Sequence, residues 1–265
     1  MGRYTHGHHE SVLRSHRRRD VGNSAGYLGT HLAPGTSLLD VGCGPGTLTV
    51  DLARRVAPGP VIGIDSAESI VRQATDDCPP DVTNVEFRAG NVHGLEFMDE
   101  TFDVVHAHQV LQHIDDPIAA LREMGRVCLP GGVVAARDAD YDAMSWYPQD
   151  DRLDHWLATY RAVAAANGGQ PDAGRYLLAW AHEAGFAHVE PSASVWCFAT
   201  PRDRNWWGGL WAERIVESAF ADYAIESGHA TRDDLEGIAA AWISWASCRD
   251  GWFAIVHGEI ICRAV

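Results

Sequence analysis

One glycine-rich stretch near the N-terminus most constrains the fold of this chain. An apolar run ending at Asp40 is followed by three alternating glycines, Gly42, Gly44 and Gly46, and then by a helical pattern. Glycine adopts positive φ at little steric cost and lets a ligand approach the backbone closely. Pro45 suits the start of a helix, where an amide hydrogen would lack a partner anyway. The stretch therefore predicts a buried strand, a tight loop and a helix N-terminus, which form a ligand-binding corner of an α/β sheet.

The spacing of the glycines bears on the ligand. The dinucleotide fingerprint is G-x-G-x-x-G, whereas this loop reads G-x-G-x-G and continues with Thr47. Asp40, placed directly before the loop, would repel a pyrophosphate but would suit a ligand with cationic groups. S-adenosylmethionine (SAM) carries an ammonium and a sulfonium and no phosphate. The segment 40–46 resembles motif I of the class I SAM-dependent methyltransferases.

The following hundred or so residues agree with that resemblance. Apolar strands and helical patterns alternate from about 37 to 138, as expected for a parallel sheet with crossover helices. The predicted strands cover about 37–41, 61–65, 85–87, 102–106 and 133–138. The loop 107–117 and the LPGG turn at 129–132 also resemble this family. The resemblance implies a Rossmann-like, doubly wound seven-stranded sheet whose last strand is antiparallel.

The chain divides into four predicted segments. These are an N-terminal helical lid (1–34), a SAM-binding core (35–138), a cap insertion (139–172) and a C-terminal part of the core (173–265). The C-terminal part contains predicted strands at 188–199 and 253–262 and a second helical insertion at about 201–250. We expect both insertions above the carboxyl ends of the strands, where open α/β sheets bind ligands.

Several side chains are expected to contact SAM. Asp65 ends the second predicted strand about 20 residues after the glycine loop, where an acidic residue accepts hydrogen bonds from ribose hydroxyls. The alternative is a helix cap, for which Ser66 is the better candidate. Asn91 stands where the family usually has an acidic residue that contacts adenine. Its side-chain amide can both accept and donate a hydrogen bond. The expected cofactor-binding residues are Asp40, Gly42, Cys43, Gly44, Asp65, Ser66, Gly90, Asn91, Val92, His108 and His113.

His108 and His113 are the first candidates for a catalytic base, because both follow the fourth predicted strand. Alternatively, His108 contributes only its backbone and His113 only orders the loop. Asp138, Tyr141 and the N-terminal histidines are further candidates. Asp138 and Asp140 would suggest a metal-dependent catechol methyltransferase, but the fourth strand lacks the acidic partner that this class needs. We therefore expect no metal, and we expect both carboxylates to be solvated.

The acceptor site is predicted from the aromatic residues. All ten tryptophans lie in the C-terminal half, and ordinary packing of cap helices explains most of them. Cap helices also supply the apolar walls of ligand clefts. The candidate acceptor-binding residues are Tyr141, Trp146, Tyr147, Trp206 and Trp207. Tyr4 and His9 could contact ligands if the N-terminal segment closes as a lid, whereas His6, His8 and His9 otherwise form a solvated arm.

Composition excludes several classes of partner. The net charge of −15 argues against nucleic acid binding, which needs a basic surface. The sequence has neither an apolar run long enough to span a membrane nor a signal-peptide core. The six cysteines form no C-x-x-C pair, so a reducing cytoplasm is the simplest compartment. A homo-oligomer is left open.

The whole pattern resembles the ubiquinone and menaquinone biosynthesis type of methyltransferase, which includes enzymes of secondary metabolism. It implies methyl transfer from SAM to a small, largely apolar or aromatic acceptor, with S-adenosylhomocysteine (SAH) as product. Whether carbon, oxygen or nitrogen is methylated stays open. The alternatives are an NAD(P)-dependent Rossmann oxidoreductase and a SAM-binding module without catalysis.

Overall fold

A seven-stranded mixed sheet in the order β3-β2-β1-β4-β5-β7-β6 forms the centre of the protein. The computed structural model describes residues 9–264. The strands are β1 (Leu38–Val41), β2 (Val61–Asp65), β3 (Val85–Ala89), β4 (Phe102–His108), β5 (Cys128–Tyr147), β6 (Val189–Phe198) and β7 (Trp252–Arg263). Neighbouring pairs among β1 to β5 are parallel, whereas β7 runs antiparallel between β5 and β6. The predicted fold class is confirmed, including the antiparallel last strand.

Ten α-helices connect and cover the strands in the described part of the chain. They are α1 (Glu10–His16), α2 (Val21–Ser24), α3 (Thr47–Val56), α4 (Glu68–Asp76), α5 (Pro117–Val127), α6 (Asp151–Ala166), α7 (Leu177–Ala184), α8 (Pro201–Glu217), α9 (Ala219–Glu226) and α10 (Arg232–Ser247). Among residues 9–264, none is both long and apolar enough to cross a membrane. The N-cap of α3 is Gly46, so Pro45 lies within the loop and not at the first helical position.

Each face of the sheet buries its own apolar cluster. Because side chains alternate along a strand, Leu38 and Leu39 of β1 point to opposite faces. Leu38 packs with residues of α2 and α3, and Leu39 packs with residues of α5 and α7. The cap helices α6, α8, α9 and α10 form a third cluster around Trp156, Trp211 and Trp242. These three rings are almost fully buried, which confirms core packing for them.

β5 is much longer than predicted, since it continues past Asp138 to Tyr147. The reason is β7, whose backbone pairs with β5 as far as Trp252 opposite Tyr147, with one irregularity between Asp140 and Ser145. Residues 139–147, which we expected to begin the cap insertion, therefore belong to the sheet. The expectation that Asp138 and Asp140 are solvated is wrong, because both carboxylates are buried on this strand.

The N-terminal segment lies across the cap and the glycine loop. Two ion pairs, Arg14 with Glu213 and Arg18 with Asp203, join it to α8. His9 caps α1 by accepting a hydrogen bond from the Ser11 amide. The expected contacts of Tyr4, His6 and His8 fall outside the described residues. That the segment opens and closes as a lid stays a prediction.

Candidate active site

The glycine loop has the backbone that its sequence predicts. Gly42, Gly44 and Gly46 all have positive φ, at 69°, 54° and 79°. A Cβ on Gly42 would stand 2.4 Å from Val110 Cγ2, and one on Gly46 would stand 2.7 Å from Phe87 Cζ. These distances are too short for any side chain without movement of the neighbours. The loop therefore requires glycine for its conformation and for its packing.

A cavity of about 220 Å³ opens beside this loop, and we call it the glycine-loop cavity. It lies at the carboxyl ends of the parallel strands, as the topology predicts. Nine predicted residues line it: Gly42, Gly44, Asp65, Ser66, Gly90, Asn91, Val92, His108 and His113. Other lining residues were not predicted from the sequence, notably Leu13, His16 and Arg19 of the N-terminal segment.

Asp40 and Cys43 do not line the glycine-loop cavity. Both border a separate void of about 10 Å³, which shares Gly42 and His108 with the glycine-loop cavity. The Asp40 carboxylate is buried and accepts hydrogen bonds from the Thr49 hydroxyl at 2.6 Å and from His106 Nδ1 at 2.8 Å. Its charge is thus satisfied within the protein, because a buried carboxylate needs such donors. This geometry gives no support to a direct attraction between Asp40 and a cationic ligand.

Asp65 links the loop to the end of β2. One carboxylate oxygen accepts from the Gly44 amide at 3.1 Å, and the other accepts from the Ala67 amide at 3.0 Å. These bonds fix the orientation of the carboxylate at the wall of the cavity. Ser66 does not cap α4, whose N-cap is Ala67 without a side-chain bond. Asn91 is exposed, and its side-chain oxygen accepts from the His93 amide at 3.0 Å.

His108 is buried at the end of β4, and its ring makes no hydrogen bond to the described residues. Its side chain is 3% exposed, and neither ring nitrogen has a hydrogen-bond partner within residues 9–264. Burial lowers the pKa of His108 well below its usual value, and the nearby Arg19 and Arg137 lower it further. The imidazole is therefore neutral at physiological pH and keeps a lone pair that can accept a hydrogen bond.

His113 has a defined tautomer, which Gln112 sets. The Gln112 side-chain oxygen accepts from the Ala139 amide at 3.0 Å, so its NH₂ group is the one that faces His113 Nε2, at 3.0 Å. Nε2 must then accept, which leaves the proton on Nδ1. Burial lowers the pKa of His113 to about 3, so the ring stays neutral. The geometry makes His113 a hydrogen-bond donor through Nδ1 and a poor general base.

Asp138 supports the same loop from β5. Its side chain is 0% exposed, and Oδ1 accepts from the Gln112 amide at 3.0 Å. Burial raises the pKa of Asp138 to about 7, against the opposing effect of the backbone hydrogen bonds. Asp138 and Gln112 together hold the loop that carries His113.

The aromatic candidates divide between two places. Tyr141, Trp206 and Trp207 line a void of about 40 Å³ next to His113. Trp146 instead packs against Phe253 in the cap cluster, with ring centroids 5.9 Å apart. Tyr147 is 58% exposed at the end of β5. The structure therefore brings three of the five predicted acceptor residues together and leaves Trp146 and Tyr147 outside this void.

One group of candidate metal-ligating side chains occurs in the described part of the chain, away from the glycine loop. His9, Glu213 and Glu217 bring ligand atoms within 4.8 Å of one another. Glu213 already pairs with Arg14. We assign this group to the ion pairs that join α1 to α8.

Comparison with known proteins identifies the family. A family model described as a methyltransferase domain matches residues 32–185. An uncharacterized methyltransferase of Schizosaccharomyces pombe is 34% identical over 270 residues, which cover 98% of this chain and 96% of that protein. The 2-methyl-6-phytyl-1,4-hydroquinone methyltransferase of a Synechocystis species is 30% identical over 243 residues, with coverage of 85% and 70%. The crystal structure of the YcgJ protein of Bacillus subtilis superposes with a TM-score of 0.58 at 16% identity, covering 91% and 97% of the two chains. The chain therefore belongs to the methyltransferase-domain family, within the class I SAM-dependent methyltransferases.

Proposed function

We propose that this protein transfers a methyl group from SAM to a small-molecule acceptor. The observation that carries the proposal is the glycine-loop cavity, where two left-handed glycines, Gly42 and Gly44, line one space with the fixed Asp65 carboxylate and with the His108 imidazole, which has no hydrogen-bond partner in the described residues. Similarity to the hydroquinone methyltransferase of Synechocystis supports a small-molecule acceptor. Membership of the family supports SAM as the donor.

The residues of the cavity fit SAM. The Asp65 carboxylate is held where it can accept from the two ribose hydroxyls, and Ile64, Ile70 and Val92 provide apolar walls for adenine. The Asn91 side-chain oxygen is already engaged, so its NH₂ group is the natural donor to the adenine ring. The Arg19 guanidinium suits the carboxylate of the methionine part.

When bound, SAM supplies an electrophilic methyl group that needs little activation. The protein must then align the acceptor and exclude water. His108 can accept a hydrogen bond from a hydroxyl or N–H of the acceptor and thereby orient it. Its low pKa makes it a weak base, so we assign it alignment first and proton removal second. His113 lines the same cavity as a neutral ring and so contributes polar wall without added charge.

The acceptor space that we propose begins at the void lined by Tyr141, Trp206 and Trp207. These aromatic walls favour an apolar or aromatic molecule. The void of about 40 Å³ is too small for such a molecule by itself, since ligand sites are commonly about 300 to 1,000 Å³. An acceptor must therefore also occupy neighbouring space.

The test is direct measurement of binding and of transfer. Calorimetry should detect SAM and SAH but not NADH or NADPH, and label from methyl-labelled SAM should appear in members of a panel of quinols, phenols, amines and aromatic acids. NADH binding without SAM binding would instead support the oxidoreductase. Tight SAM binding without transfer to any acceptor would support a module that binds SAM without catalysis.

His108→Ala separates transfer from donor binding. We expect it to lower the rate of transfer more than SAM affinity, because the imidazole is assigned to the acceptor. His182→Ala removes an exposed imidazole of α7 that lines neither cavity, so it is the matched control and should leave both unchanged.

A further inference from the structure

A larger cavity lies at the edge of the sheet, beside the two spaces already described. It occupies about 480 Å³ between residues 15–27 of the N-terminal segment and strands β5, β6 and β7. We call it the sheet-edge cavity. It shares Arg19 with the glycine-loop cavity, and it shares Trp196 and Trp206 with the aromatic void near His113. Its volume is in the range of small-molecule sites.

Two buried donors line this cavity without an acceptor. The Arg137 side chain is 1% exposed; its Nε lies 3.1 Å from a Glu259 oxygen, and its Nη2 donates to Ser194 Oγ at 3.0 Å. Within the described chain, Arg137 Nη1 and the Tyr27 hydroxyl have no hydrogen-bond partner. Buried donors are costly to leave unsatisfied, and a charged one especially so.

Glu259 does not contact Arg137 Nη1. One of its carboxylate oxygens accepts from Arg137 Nε and the Ser194 hydroxyl, and the other accepts from the Ser192 hydroxyl at 2.8 Å. Residues 9–264 therefore offer no acceptor to Arg137 Nη1.

The charge of the cavity identifies the kind of acceptor. Arg18 and Arg137 both line it, but Arg18 is paired with Asp203 and Arg137 with Glu259. The Nη1 group of Arg137 is nevertheless a charged donor without a partner in the described residues. Such a donor binds an anionic acceptor more strongly than a neutral one.

The cavity is close to the proposed reaction centre. Arg137 is the register partner of His108 on the adjacent strand, so their backbones are about 5 Å apart. The Trp196 ring lies 5.0 Å from Arg137 Cζ and 5.8 Å from the His108 ring, and its indole nitrogen is held by the Asn23 carbonyl. A group bound to Arg137 is thus within one small molecule's length of His108, along an aromatic wall.

We propose that the sheet-edge cavity binds a carboxylate group of the methyl acceptor through Arg137 Nη1 and the Tyr27 hydroxyl. The substrate is then an aromatic or apolar carboxylic acid, a conclusion that rests on the proposed function. Two donors match the two oxygens of a carboxylate, and Arg137 supplies the opposite charge. Burial raises the pKa of Tyr27 well above its usual value, so the phenol remains a neutral donor.

The test compares three matched probes, namely 2-naphthoate, 2-naphthamide and 2-naphthol. Their affinities are measured by calorimetry and ligand-detected NMR at neutral pH, with and without saturating SAH. We expect the carboxylate to bind about tenfold more tightly than the amide or the naphthol. Equal binding of the three, or no binding of any at millimolar concentration, would overturn the proposal.

Variants assign the preference to this cavity. Tyr27→Phe removes only a hydroxyl and should reduce naphthoate affinity about threefold to tenfold without affecting the amide. The paired change Arg137→Gln with Glu259→Gln removes both charges of the buried ion pair together, so the net charge of the cavity wall does not change. It should abolish the preference for the acid. Arg72→Gln, which removes an exposed arginine of α4, is the control for charge and should change nothing.

SAH affinity, measured in the same samples, separates this proposal from the proposed function. Failure of SAH to bind the wild type would contradict methyl transfer. SAH binding with an acid preference that survives both Tyr27→Phe and the paired change would contradict the carboxylate site alone. If the paired variant does not fold, the response of Tyr27→Phe decides.

Discussion

Asp138 carries a carboxyl group whose ionisation the fold opposes, and its replacement should change how stability depends on pH. The side chain is 0% exposed, and Oδ2 has no hydrogen-bond partner in the described residues. Burial raises its pKa to about 7, whereas an aspartate in an unfolded chain titrates near 3.9. Between these values the native state holds one proton more than the unfolded state. The free energy of unfolding therefore falls as pH rises through this window and levels off above about pH 7.

The magnitude follows from the size of the shift. Roughly two pKa units of the window lie above pH 5, and each is worth about 1.4 kcal/mol. In Asp138→Asn the side-chain oxygen can still accept from the Gln112 amide, and the group cannot ionise. The stability of this variant relative to wild type should therefore grow by about 3 kcal/mol between pH 5 and pH 8.

Urea unfolding, followed by tryptophan fluorescence and far-ultraviolet circular dichroism, measures this difference at both pH values. Other groups titrate equally in both proteins, so the comparison isolates Asp138. Asp151→Asn makes the same chemical change at an exposed site in the first turn of α6 and should show no such trend. A difference between Asp138→Asn and wild type that stays constant from pH 5 to pH 8 would mean that Asp138 is ionised in the folded protein, and the reasoning would fail.

Three further predictions concern the glycine-loop cavity. Asp65→Ala should weaken SAM binding more than tenfold in calorimetry, because the ribose hydroxyls lose their acceptor; unchanged affinity would refute the ribose assignment. Gly44→Val should abolish SAM binding, since φ is 54° and the side chain would block backbone approach, whereas Gly237→Ala in α10 should bind normally. Nitrogen-15 NMR of His113 should show a neutral ring protonated at Nδ1 from pH 5 to pH 8, and a ring that becomes charged near pH 6 would contradict the role given to Gln112.

Much of the sheet could be predicted because its signals are local. β2 has the predicted bounds, and β1 begins one residue later than predicted, since continuous apolar runs bounded by turns define buried parallel strands. The glycine loop is specified by residue type, because only glycine fits at Gly42 and Gly46. The position of Asp65 at the cavity wall could be predicted because this residue ends β2.

The missed features depend on partners that are distant in sequence. The extra length of β5 comes from pairing with β7, more than a hundred residues later. The same pairing sets Arg137 opposite Glu259, and neither residue is part of a recognisable motif. Arg19 reaches the site because Arg14 and Arg18 attach the N-terminal segment to α8. No short sequence pattern predicts any of these contacts.

The electrostatics of His108 connect the two proposals. Burial lowers the pKa of His108, and the nearby Arg19 and Arg137 lower it further, so a proton on its ring is disfavoured. A neutral acceptor does not offset these effects. A carboxylate bound beside Arg137 would add a negative charge near His108 and so raise its pKa. His108 would then be a stronger base with an acidic acceptor in place than without one, so that the group that selects the substrate would also favour proton removal from it.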